Sequence, residues 1–385
     1  MSKENKLLII IDDVLPLDLS SFRNIELCEY AKKFENIVVL NTSQREINED
    51  NILDIFVKRK IRFFQSNLND KNFELFLEYI NEFDNKVAMI TFLNNVFALD
   101  GKVLKFLEKY NIKFSFTLYP GGGFFMDNES NKKLKNIFSS PVFYKVIVTQ
   151  KQTYNYLISN NLCSKKNIKM IYGLVTSPKF LKLKISKSKC YNSNKNNIDI
   201  CFAAYKYCEK GIDKGYDIFI DVAKELCKRH ENLMFHVAGN FDENDIDIQP
   251  IQNNLKFHGI LNDDDFIKFF YDMDIMLSPT RANILHQGAF DGFPTGASSD
   301  AILSGVVLIT TDPLENNVYF KNNKDLIIVE SNTDEIIDKI ESLIVDKKLM
   351  KKISFNGYIK ANHLYSIKKQ MVLRNKIIER MWYLS

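Results

Sequence analysis

Three segments within residues 6–41 decide the fold class: KLLIII at 6–11, FRNIELCEYAKKF at 22–34 and NIVVLN at 36–41. The outer two are short, continuous apolar runs, as expected of strands buried on both faces. The middle one is amphipathic with helical spacing. A strand, a covering helix and a second strand make the βαβ unit of a parallel sheet.

The rhythm continues through IRFF, NFELFLEYINEF, KVAMITF, GKVLKFLEKY and IKFSFTL before the chain reaches YPGGGFF. Gly121, Gly122 and Gly123 stand at the carboxyl end of a predicted strand, the side on which open α/β sheets bind ligands. With Tyr119 they are the candidates for an acceptor-side loop; a mobile turn is the alternative, since GGG lacks the G-x-G-x-x-G spacing of a dinucleotide site. VFYKVIVTQKQTYNYLISNNLCSKKNIKMIYGLVTSP adds a strand, a helix and a short strand. Lys179 to Asn197 carry lysines, no acid and no sustained apolar period, and read as a solvated linker.

The alternation then restarts. NIDICFAAYKY is a strand, DKGYDIFIDVAKELCKRH an amphipathic helix, and LMFHVAG and LKFHGIL two more strands. His236 and His258 read as structural histidines. In NDDDFIKFFYDMDI the acidic triplet invites a metal reading, but Asn262 suits an N-cap and Asp263, Asp264 and Asp265 then fill a first helical turn, where the macrodipole favours negative charge. MLSPTRANILHQGAF offers Arg281 and His286 as polar pocket candidates. After Gly305 come the strands VVLIT and LIIV and the helix DEIIDKIESLIV. The last helix, SIKKQMVLRNKIIERMWYLS, has an apolar stripe at Ile367, Met371, Ile377, Ile378 and Met381, with Trp382 as packing.

At 385 residues the chain suits two domains rather than one core. A net charge of +4 does not point to nucleic acid. No apolar run reaches the roughly 18 residues of a membrane span, and MSKENKLLIII leads into a buried-looking strand instead of a signal peptide, so a cytoplasmic protein is expected. Six cysteines occur singly, with no C-x-x-C pair, which argues against zinc and disulfide frameworks.

The stretch with the most chemical character is DGFPTGASSDAILSG at 291–305. Pro294 suits the first turn of a helix, and Gly296, Ala297, Ser298 and Ser299 leave its first N–H groups uncovered, a natural seat for a diphosphate. Asp291 and Asp300 bracket those amides, and carboxylates accept hydrogen bonds from sugar hydroxyls. Two capping or surface acids are the plainer alternative.

This stretch resembles the donor-site signature of family 4 glycosyltransferases with the GT-B fold. Asp291, Gly292, Phe293 and Pro294 stand for Glu-Gly-Phe-Pro, and Asp300, Ala301, Ser304 and Gly305 for the following Glu-Ala and small-residue turn; both Glu are Asp, and the gap is one residue longer. Lys214-Gly215 matches the family's Lys-Gly pair, and Lys206 is the nearest cation to its Arg position. Lysine cannot make arginine's bidentate contact.

The resemblance implies two Rossmann-like domains facing a cleft: residues 1–177, completed by a C-terminal helix 364–385 that crosses back, a linker 178–197, and a nucleotide-sugar domain 198–363. It further implies transfer of a sugar with retention of configuration from a UDP or GDP donor to a glycan or lipid-linked acceptor, with no metal or other cofactor. Asp291, Lys214 and Lys206 are the implied catalytic residues. Asp300, Gly292, Phe293, Pro294, Gly296, Ala297, Gly259, Leu261, Arg281 and His286 are the implied donor-binding ones. The usual setting is bacterial surface polysaccharide synthesis, at the inner face of the plasma membrane where the acceptor is lipid-linked. A non-catalytic nucleotide-sugar or glycan binding protein, or a GT-B epimerase or phosphorylase, is the alternative.

Overall fold

The computed structural model describes residues 5–17, 21–43, 47, 52–65, 71–183 and 195–385. They form two compact units, Met1–Val175 with Ile367–Ser385, and Thr176–Ser366.

In the first unit the apolar runs become β1 (Lys6–Asp12), β2 (Ile37–Asn41), β3 (Arg62–Gln65), β4 (Asn85–Thr91), β5 (Lys113–Leu118), β6 (Phe143–Val148) and β7 (Ile168–Met170). They pair in parallel in the order β3-β2-β1-β4-β5-β6-β7. Leu7, Leu8, Ile9 and Ile11 are wholly buried, as a strand covered on both faces requires. The last helix, Ile367–Leu384, belongs to this unit. Its stripe of Met371, Ile377, Ile378 and Met381 joins the core of β1, β2 and β4, and Trp382 meets Phe34 edge-on at 5.0 Å while its Nε1 donates to the Leu7 carbonyl.

The second unit holds β8 (Ile198–Ala203), β9 (Leu233–Ala238), β10 (Leu255–Phe257), β11 (Ile275–Ser278), β12 (Val307–Thr310) and β13 (Ile327–Ile328), all parallel, in the order β10-β9-β8-β11-β12-β13. The helix Tyr216–Arg229 buries Ile218, Phe219, Val222 and Leu226 against this sheet. Its sequence shows why: those positions repeat at three and four residues. The 18-residue helix Lys347–Leu364, interrupted by Gly357 and Asn residues, was not legible as a separate element. Gly357 has a reason to be glycine, because a Cβ there would sit 2.3 Å from the Asp325 carbonyl oxygen.

The expected linker is corrected at its start. Pro178–Leu181 is a helical turn capped by Ser177, Phe180 is buried, and the side chains of Tyr358 and Asn362 donate to the Leu183 and Leu181 carbonyls. A single well-placed aromatic docks this segment despite its lysines. At its other end Lys195 pairs with Asp199 and Asp274 at 2.6 and 2.8 Å. Residues 184–194 lie outside the described residues.

Candidate functional site

In an open parallel sheet, ligands bind beyond the carboxyl ends of the strands at the point where the strand order reverses. In the second unit that point lies between β8 and β11. The loop after β8 carries Lys206 and Lys214, and the loop after β11 carries Arg281 and Asp291.

There the Lys214 Nζ donates to both carboxylate oxygens of Asp291, each at 2.7 Å. Lys214 is buried and Asp291 half-buried. Beneath them Asp213, also buried, lies 3.3 Å from the ammonium. Burial pushes the ammonium down, but Asp291 and Asp213 more than offset that and hold it above the usual lysine range. The ring of Tyr207 stands 5.0 Å from the same nitrogen. Asp291 opens onto a depression of about 330 Å³ whose wall includes Arg281, Gly292, Phe293, Thr295, Thr311 and Asp312.

Gly215 places the lysine, by a different route from the one its sequence suggests. Its backbone is left-handed, φ 72°, and a Cβ would stand 2.1 Å from the Pro279 carbonyl oxygen. The glycine lets the start of the helix Tyr216–Arg229 touch the loop after β11 directly. Close approach to protein backbone, rather than to phosphate, is what excludes a side chain here.

The opening stretch folds as Asp291–Thr295 followed by the helix Gly296–Leu303. Pro294 is corrected: it follows Phe293 through a cis peptide and precedes the cap rather than filling the first turn. Thr295 is the N-cap, with its Oγ1 accepting from the Ser298 N–H. That leaves the N–H groups of Gly296, exposed, and Ala297, half-buried, at the tip of the helix, where an anion is favoured.

Asp300 sits one turn inside that helix. Among the described residues no cation or hydrogen-bond donor meets its carboxyl, and burial, with Asp263 nearby, pushes its pKa well above the usual carboxylate range. A carboxyl of this kind can donate as well as accept a hydrogen bond. Gly259, φ 68°, faces open space, and its carbonyl accepts from the Gly239 N–H. Leu261 is half-buried beside it.

Three expectations change. Lys206 does not face the Asp291 pocket freely, because its ammonium pairs with Asp245 at 2.5 Å and its backbone N–H donates to the Asn240 side chain. His286 is exposed on the loop 283–289, its Nδ1 2.6 Å from the Gln287 carbonyl, and does not line the depression. Arg281 does line it, but is held by Asp217 at 2.9 Å. The acidic triplet caps a helix as expected, with the Asn262 side chain accepting from Asp265 N–H and Asp264 pairing with Lys179. His236 is buried and structural, bonded to Asp199 at 2.7 Å and to His258 at 3.0 Å, whereas His258 itself is exposed past the end of β10.

On the first unit, Tyr119 is buried, its hydroxyl 3.2 Å from Arg374 and 3.4 Å from Glu26, and so is corrected from a ligand contact to part of the core. The three glycines form a left-handed turn packed against the loop after β4: a Cβ on Gly122 would collide with the Phe92 ring at 2.3 Å, and the Gly122 carbonyl accepts from the Asn94 N–H.

Asp213, Asp217 and Asp312 escaped the sequence reading. Asp312 accepts from the Asn316 and Asn317 N–H groups and so closes the loop after β12. The usable signal was TTD directly after the apolar run VVLI, a polar cluster at a strand's carboxyl end.

Residues 208–360 match the family model of glycosyl transferases group 1. The chain has the GT-B fold. Over the full length of both chains it is similar to a glycosyltransferase from Rickettsia africae ESF-5, with 16% identity and a TM-score of 0.71. It is also similar to Anabaena HepE, crystallised with UDP-glucose, at 15% identity and a TM-score of 0.66, covering 98% of this chain and 99% of that one. Sucrose-phosphate synthase from Thermosynechococcus elongatus has 12% identity and a TM-score of 0.72, covering 99% and 100%. No curated protein matches the chain. At these identities the likeness to the solved structures is one of fold; the group 1 match itself spans Lys214, Asp291 and Asp300 of this GT-B protein. Among the described residues no helix is long and apolar enough to cross a membrane.

Proposed function

We propose that this GT-B protein transfers a sugar from a nucleoside-diphosphate donor, UDP- or GDP-linked, to a glycan or lipid-linked acceptor with retention of configuration. The observation that carries the reading is the Lys214–Asp291 pair, 2.7 Å apart at the reversal point of the second sheet and inside the group 1 segment. The complex of HepE, a protein of the same fold, with UDP-glucose supports a uridine donor.

In this reading the departing diphosphate gains negative charge as the glycosidic bond lengthens. A preformed cation stabilises that state more than the ground state. Lys214 and the helix-tip N–H groups of Gly296 and Ala297 supply the field. Asp291, already fixed by Lys214, accepts from the donor sugar's hydroxyls, and Asp300 exchanges hydrogen bonds with the ribose diol. Lys206 joins only when a phosphate displaces Asp245. The acidic triplet belongs to a helix start, so the reading assigns no metal role to it. Surface polysaccharide synthesis at the inner face of the plasma membrane is the setting this chemistry suits.

The test is a panel of UDP- and GDP-sugars, each with and without saccharide acceptors, read by release of the nucleoside diphosphate and by the anomeric configuration of the product. Acceptor-dependent release with retained configuration, undiminished by EDTA, is expected. Donor binding without turnover means a binding protein, inversion removes the retaining mechanism, and loss in EDTA restored by manganese or magnesium removes the metal-free one.

A further inference from the structure

The rule that places the donor pocket at the β8/β11 reversal places a second position at the reversal of the first sheet, between β1 and β4. Polar side chains from three strand ends converge there. Asp12 closes β1 and Asp13 follows it, Thr42 follows β2, and Asn94 and Asn95 follow β4. Their arrangement is built rather than incidental. Asn95, buried, donates to Asp13 at 3.1 Å and to the Thr91 carbonyl at 2.6 Å, and accepts from Thr42 at 2.6 Å. The Arg23 guanidinium reaches Asp12 at 3.0 Å and Asp13 at 2.5 Å and lies 4.5 Å over the Phe92 ring. Phe92 itself has φ 68° and ψ 160°, a backbone region that is essentially glycine's. With that turn, and with the Gly122 carbonyl holding the Asn94 N–H, Asn94 stands exposed beside Asp13, Nδ2 to Oδ2 at 3.5 Å.

What remains unused in the cluster defines the ligand. Asp12 is fully buried, and among the described residues its Oδ2 has no hydrogen-bond partner. Asp13 is a third exposed, and among the described residues its Oδ2 is met by the long Asn94 contact alone. Among the same residues Asn94 keeps its amide oxygen and one N–H. A carboxylate acceptor beside an amide that both donates and accepts complements adjacent hydroxyls, each of which also does both. Two carboxylates to one guanidinium disfavour an anion, so a phosphate or a uronate is the wrong partner.

We propose that the carboxyl ends of β1 and β4 form a binding site for the vicinal hydroxyls of a neutral sugar, with Asp13 and Asn94 as its contacts and Asn95, Arg23 and Thr42 as positioning residues. The site names the acceptor class for the proposed transfer and rests on that reading for its purpose. It does not rest on it for its existence.

The test is saturation-transfer NMR on the full chain with methyl α-glucoside, methyl β-galactoside and maltose as neutral probes and glucuronate and glucose 6-phosphate as anionic ones, with and without UDP. Wild type is expected to bind at least one neutral probe and neither anion. Asn94→Ala, at an exposed position that leaves the fold intact, and Asp13→Asn should each weaken that binding about tenfold or more, the loss of one hydrogen bond to or beside a charged group. Calorimetric titration of UDP should be unchanged by either substitution. No neutral probe bound, equal binding by both variants, or preference for the anions each overturns the site. Failure of wild type to bind either UDP or GDP sinks the transferase reading instead, and leaves the sugar result to stand on its own.

Discussion

Removing the Lys214 ammonium takes away the cation that holds Asp291 at the edge of the depression and also strands Asp213, which is 3% exposed and, among the described residues, has one carboxylate oxygen without a hydrogen-bond partner. Lys214→Ala is therefore expected to lose ~10²–10³ in kcat, the usual cost of one preorganised electrostatic contact. It should also lower the Tm, because breaking a buried pair leaves a charge uncompensated. Adding Asp213→Asn removes the stranded charge, so the double variant should regain Tm and not kcat. Recovery of both, or of neither, in steady-state kinetics and calorimetry would separate the two roles differently. Asp300 gives a second residue-level expectation. A carboxyl whose pKa is raised by folding binds its proton more tightly in the native state, so its contribution is fully present below the ordinary value of 3.8 and is lost as pH rises through the raised one. Asp300→Asn should match wild type near pH 4 and be the more stable protein at pH 7, read as Tm against pH. Lys214 and Asp291 were legible because a Lys-Gly pair and a glycine-flanked acid stand at strand ends. Asp213 was not, since one acid among 48 acidic residues carries no mark of being buried.

At the scale of elements, the helix Tyr216–Arg229 and the loop after β11 are welded by a glycine. Gly215→Ala places a Cβ 2.1 Å from the Pro279 carbonyl oxygen and forces a left-handed alanine. The combined strain and overpacking should cost roughly 2–5 kcal/mol. Chemical denaturation measures it, and a loss below about 1 kcal/mol would mean that the two segments move apart freely. The strands and helices themselves were readable, because continuous apolar runs and 3.6-residue periods are local signals. The contacts that aim them were not. Lys206, in AAYKYC just after a strand, reads as a phosphate ligand, yet Asp245, 39 residues away, holds it; the three glycines read as an open loop, yet Phe92 packs on one of them. Pairings between segments distant in sequence leave no period to detect.

Across the whole molecule, the first unit is discontinuous. The buried Arg374, within 3.2 Å of Tyr119 and 3.5 Å of Glu26, reaches it from the terminal helix along with Met371, Ile378 and Met381. Truncation after Ser366 should abolish the transition of the first unit in calorimetry and leave that of residues 176–366, which carry a core of their own. A single transition lost as a whole would show the two units to unfold together. This arrangement also sets an order of events during synthesis. The 191 residues of the second unit must be translated before the helix that completes the first one exists, a wait of roughly 10–40 s at elongation rates of about 5–20 residues per second. Through that interval the N-terminal sheet is on the ribosome with the part of β4 and β5 that the terminal helix packs on uncovered. The half of the protein made first is the half finished last, and its dependence on chaperones should exceed that of the half made second.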